Sequence, residues 1–119
     1  MAAPSNPMIW YGGRLFRPVK TAGQSETNSE TIFKYSQKDA LVTASYSGGD
    51  IRLGHLIGLV KKDGSLDMRY HHVNLSGEIM TGTCHTIPKI LENGNLRLHE
   101  TWQWTSGSKT KGTSILEEL

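Results

Sequence analysis

One stretch near the C-terminal end sets a carboxylate in an otherwise apolar row. Taken at every second residue, it reads Leu96, Leu98, Glu100, Trp102, Trp104, while the other parity reads Arg97, His99, Thr101, Gln103, Thr105. Alternate side chains of an extended strand share a face, so Glu100 shares its face with two leucines and two tryptophans. An acid in such surroundings needs a cation or hydrogen-bond donors. Its pKa is then open to a shift that suits it to moving protons or orienting a ligand. The nearest partners by strand adjacency are Arg69 and His71 in one segment and His85 in the next. Arg69 and Glu100 flanked by Trp102, Trp104, Tyr46 and Tyr70 make a ligand pocket of apolar walls with a few fixed polar groups. Arg69 and His71 would take the polar end of the ligand, and Glu100 would orient Arg69. Tyr70 and Arg69 have opposite parity, and the reading places Arg69 inside. The competing reading is a solid interior in which Glu100 and an inward arginine form a structural bridge.

Other chemistries find less support. The histidines are His55, His71, His72, His85 and His99. His71 and His72 are strand neighbours and face opposite ways. No spacing resembles a convergent tetrahedral ligand set, so no metal is expected. His55, in the run GHLIG, reads first as a histidine that satisfies a backbone or cross-strand partner, and it joins His71 and Glu100 as a candidate for ligand contact or acid–base work. Cys84 stands beside His85, but neighbours on a strand point apart, which weakens the pair as a nucleophile and base. Ser106–Ser114 (SGSKTKGTS) lacks the order of a phosphate-binding loop. Lys109–Lys111 is the one basic knot, set in a turn, so nucleic acid is not an expected partner. No cofactor is expected, and no catalytic residue is assigned.

The elements that must position these groups are strands. Turn signals recur at Gly12–Gly13, Ser47–Asp50, Lys62–Gly64, Leu75–Gly77, Glu92–Asn95 and Thr105–Gly107. Asp-Gly and Asn-Gly are strong hairpin signals because both positions tolerate positive φ. The spacing predicts strands over Arg14–Val19, Glu30–Gln37, Ala40–Ser47, Ile51–Lys61, Ser65–Asn74, Glu78–Pro88, Asn95–Thr105 and Lys111–Leu119. The fourth carries an apolar row of Ile51, Leu53, His55, Ile57 and Leu59. The fifth divides into Leu66, Met68, Tyr70, His72 and Asp67, Arg69, His71, Val73. The polar segment Ala22–Ser29 is a loop suited to a barrel mouth.

Eight successive strands with short connections favour closure, which removes unpaired edges. The expected fold is a single all-β, antiparallel up-and-down barrel of the lipocalin-like (calycin) kind, with an interior able to hold one small ligand. Residues 1–11 are expected to be a flexible tail and residues 12–119 the barrel domain. The 119 residues suit one domain, hydrophobic residues make up 36%, and glycine is frequent at 13. The net charge of +2 leaves a nearly balanced surface, and one cysteine excludes an internal disulfide. No apolar run approaches a membrane span, and Met1–Trp10 lacks the pattern of a signal peptide, so a cytoplasmic protein is expected.

The blocks SETIFKYS, ASYSGGDIRLGHLIGLV, GSLDMRYHHVN, GEIMTGTC and LRLHETWQWTSG together cover most of the chain from Gly12 onward. They resemble a family of small bacterial proteins often labelled N-acetylglutamate synthase. That resemblance implies acetyl transfer from acetyl-CoA, but the chain has no glycine turn leading into a helix to hold a pyrophosphate. The strand pattern itself implies binding of a small, acidic or amphipathic molecule by Tyr46, His55, Arg69, His71, Glu100, Trp102 and Trp104. Acid–base catalysis by an interior His71 or Glu100 is the alternative, and a homodimer is open to the exposed ends.

Overall fold

The computed structural model describes residues 9–119. These form eight strands and no helix: β1 (Leu15–Ala22), β2 (Ile32–Lys38), β3 (Leu41–Gly48), β4 (Ile51–Val60), β5 (Leu66–Asn74), β6 (Ile79–Ile90), β7 (Leu96–Trp104) and β8 (Lys111–Glu118). Each strand pairs with the next in antiparallel register, and β1 closes on β8 through Arg17↔Glu117 and Pro18↔Leu116. The result is the expected up-and-down barrel. The hairpins turn where Asp-Gly and Asn-Gly predicted, with Gly64 at φ 86° and Gly94 at φ 85°, values that a side chain would resist.

The barrel has a packed end and an open end. At the packed end Phe16, Val42, Leu66, Leu96, Leu98 and Leu116 are buried. Tyr11 plugs this end. Its ring stacks on Tyr35 at 6.0 Å, and its hydroxyl donates to the Gly64 carbonyl at 2.6 Å. Of the segment expected to be a tail, residues 1–8 lie outside the described residues, while Tyr11 is part of the packed end.

The β5 row faces opposite to the sequence expectation, and the β4 facing, left open by the sequence, puts His55 outside. On β4 the outward row is Leu53, His55, Ile57 and Leu59, and the inward row is Gly54, Leu56, Gly58 and Val60. A register irregularity between Ile51 and Leu53 changes parity, so Ile51 alone of the expected row is buried. On β5 the inward row is Leu66, Met68, Tyr70 and His72, so Arg69 and His71 face out.

The inward glycines account for the facing of β4. Gly54, Gly82 and Gly112 pair directly with Tyr46, Tyr70 and Trp102 on neighbouring strands. A Cβ at each position would land inside the partner's ring. Each glycine thus lets an aromatic side chain lie flat along the barrel wall. Without such gaps, residues this large would project across the lumen and fill it.

Candidate functional site

The open half of the barrel holds a cavity of about 60 Å³. β2, β3, β5 and β7 supply Phe33, Tyr46, Tyr70, Trp102 and Trp104, and β4, β5 and β6 add Leu56, Met68 and Cys84. Phe33 stacks on Tyr46 at 4.6 Å, while Trp102 and Trp104 meet edge to face at 5.8 Å. Both indole N–H groups are occupied. Trp102 Nε1–H donates to Ser114 Oγ at 2.9 Å, and Trp104 Nε1–H donates to the Gln24 carbonyl at 3.0 Å. These bonds fix the ring planes, as buried tryptophans require.

The β1–β2 loop, residues 23–31, folds over the mouth. Its Ser25, Glu26 and Thr27 line the cavity. Glu26 is the fastening. One carboxylate oxygen meets His72 Nε2 at 2.8 Å, and the other accepts from Asn74 Nδ2 at 2.9 Å. The other ring nitrogen of His72, Nδ1, lies 3.0 Å from the Tyr46 hydroxyl. With the imidazole proton on Nε2, His72 donates to Glu26 and accepts from Tyr46, so both contacts are satisfied. The run Tyr46–His72–Glu26–Asn74 therefore ties β3, β5 and the loop into one hydrogen-bonded chain. The loop is also held by its backbone, because the Asp50 N–H donates to the Glu26 carbonyl at 3.2 Å.

Glu100 lines the same cavity and is buried, as its row predicted, but its partner is not an arginine. Thr86 donates to its Oε2 at 3.2 Å, and no basic side chain among the described residues pairs with it. Burial pushes its pKa up to about 7, and the Thr86 hydroxyl offsets only part of that rise. The same burial, with the Glu100 charge beside it, holds the Cys84 thiol well above its ordinary range, so Cys84 is a neutral wall group rather than a nucleophile. The buried Tyr35 hydroxyl has no hydrogen-bond partner among the described residues, and burial and Glu100 both raise its pKa.

The expected site residues divide into two groups. Tyr46, Glu100, Trp102 and Trp104 come together in the lumen. His55, Arg69 and His71 do not. Arg69 lies on the outer wall with its side chain 64% exposed, 3.1 Å from Asp67. His55 and His71 face each other outside, ring centres 5.9 Å apart. The correction has a physical cause. A buried acid was matched with a cation, whereas this barrel leaves the acid with one hydroxyl and shifts its pKa. Glu26 and His72 were missed as site residues. The parity that holds Met68 and Tyr70 already placed His72 with them, but no periodic signal marks a loop carboxylate that folds over a mouth.

A comparison with curated proteins found no match. A family model described as Avidin-like protein matches residues 9–119, the full described length. It gives no support to the N-acetylglutamate synthase label. That match and the closed eight-stranded calycin-type barrel agree, and the chain belongs to the Avidin-like family.

Proposed function

We propose that the lumen binds one small molecule, held between the aromatic walls and covered by the β1–β2 loop. The observation that carries this reading is a cavity among five aromatic rings, three of which (Tyr46, Tyr70 and Trp102) lie against glycines on adjacent strands that make room for them. The walls would supply apolar contact, while Ser25, Thr27, Tyr46, His72, Ser114 and the two carboxylates would fix orientation. Arg69 and His71, on which the expectation of an acidic ligand rested, lie outside. Acid–base chemistry in the lumen would have to run through Glu100 and His72 rather than His71.

The reading is tested by thermal shift and ligand-observed NMR with biotin, the probe the family name suggests, beside a panel of neutral, cationic and anionic small molecules. A lumenal ligand raises the melting temperature, because it binds the native state alone. Leu56→Phe, which fills the cavity from β4, should abolish the shift. Equal binding by a folded Leu56→Phe variant would place the ligand elsewhere, and a panel without any binder would refute the lumenal site.

We also propose a homodimer through the outer face of β3 and β4. Leu41, Leu53, Ile57 and Leu59 are exposed there, by 42%, 51%, 52% and 58%. Neighbouring apolar side chains at this exposure are usual for an interaction surface, and a two-fold contact buries one such patch against its copy. Sedimentation should find a dimer that Ile57→Glu converts to a monomer. A native chain monomeric at tens of micromolar would remove the proposal.

A further inference from the structure

We propose that His55 and His71 form a site for a divalent transition metal of the zinc, nickel or copper kind on the outer wall of the barrel. The site shares no residue with the lumen. The two residues are direct partners across antiparallel β4 and β5, which sets their side chains on one face with Cβ atoms about 4.5–5.5 Å apart. Their ring centres lie 5.9 Å apart with the planes at 51°, so the imidazoles are adjacent but not stacked. A zinc–imidazole bond is about 2.0–2.1 Å long, which puts the ion about 3.2 Å from the ring centre. Two rings on one ion can thus stand up to about 6.4 Å apart, and the observed pair falls within that reach. Both side chains are exposed, so the rings can turn about χ2 to aim a nitrogen at a shared ion.

Both imidazoles are also available. Neither has a hydrogen bond or ion pair among the described residues, whereas both ring nitrogens of His72 are engaged. The flanks are neutral, because His55 pairs with Ser45 on β3 and His71 pairs with Thr81 on β6. Arg69, two residues from His71 on the same face, donates instead to Asp67 at 3.1 Å and to the Met68 carbonyl at 3.0 Å. β4 and β5 are paired from Ile51↔Asn74 to Val60↔Leu66, so the two ligands rest on rigid strands rather than on a loop. Imidazole suits zinc, nickel and copper, whereas magnesium and calcium take oxygen ligands. No third histidine, cysteine or carboxylate joins the pair among the described residues, so water completes the coordination and the site stays open. His99 provides the contrast, since it has an isoleucine across from it on both sides, Ile87 on β6 and Ile115 on β8.

The experiment titrates zinc chloride into the untagged full chain by calorimetry and follows the histidine ring signals by NMR. One zinc ion per chain is expected, with the His55 and His71 rings shifted at concentrations that leave His99 unmoved. His55→Gln and His71→Gln should each weaken zinc binding about tenfold, the loss of one of two coordinate bonds, while His99→Gln changes nothing. Both histidines are exposed, so these variants should keep the urea midpoint of the native chain. An excess of magnesium should not displace the zinc. Absence of zinc binding, affinity retained in a His55→Gln, His71→Gln double variant, or an equal loss in His99→Gln overturns the proposal. Half an ion per chain would place the metal between two copies and overturn a site complete in one chain. Each of these failures leaves the lumenal reading standing, because no lumenal residue takes part.

Discussion

Glu100→Gln is expected to flatten a loss of stability that the native chain undergoes between about pH 4.5 and about pH 7. In the unfolded chain the carboxyl ionises near its ordinary value of 4.5, whereas in the barrel burial holds it protonated to about 7. Within that window the folded state binds the extra proton, so stability falls as pH rises. Below the window both states are protonated and the cost is absent. Above it the folded protein carries a buried charge, and the full cost of about 3 kcal/mol applies. Glutamine keeps an oxygen to accept from Thr86 and cannot ionise. Urea unfolding of both proteins at a series of pH values measures this directly. Every other titrating group, including Glu26 and His72, is shared, so the difference between the two curves isolates Glu100. Parallel curves would mean that Glu100 is paired or wet in the folded protein.

The legibility of this protein in its sequence follows its turns and its alternation. Asp63–Gly64 and Asn93–Gly94 sit at tight hairpins, and that spacing led to eight strands, a closed barrel and an antiparallel meander. Facing was legible on β7, where both rows are unambiguous, and Leu96, Leu98, Glu100, Trp102 and Trp104 all point inward. On β4 it stayed open, because its outer row of Leu53, Ile57 and Leu59 is more apolar than an inner row with two glycines. Glycine counts as nothing on a hydropathy scale, yet at Gly54 it is what lets Tyr46 lie along the wall. On β5 the choice between Arg69 and Tyr70 turned on a supposed cation for Glu100, and the barrel instead gives that acid the Thr86 hydroxyl while burial raises its pKa. Glu26 was illegible for a different reason. A loop has no period, and its place at the mouth depends on His72 and Asn74, 46 and 48 residues away in sequence.

Gly54→Ala should be among the most damaging single-methyl additions to the barrel. The new Cβ would overlap the Tyr46 ring and lie 2.7 Å from His72 Cβ. Alanine is otherwise the better strand residue, since it loses less backbone entropy on folding, so any loss must come from the overlap. Tyr46 cannot yield freely. Its ring is stacked on Phe33 at 4.6 Å, and its hydroxyl is bonded to His72 at 3.0 Å. Overpacking a site so constrained costs about 2–3 kcal/mol. A double-mutant cycle assigns the cause. In a Tyr46→Ala background the same Gly54→Ala change should cost less, the remainder coming from the His72 Cβ contact at 2.7 Å that persists. Equal costs in both backgrounds would show that His72 or the β4 backbone, and not the Tyr46 ring, sets the requirement for glycine. Expressed through function, a Tyr46 forced off the wall takes the lumen's space and disturbs the His72–Glu26 fastening. Gly54→Ala should therefore weaken any lumenal ligand even under conditions where the variant remains folded.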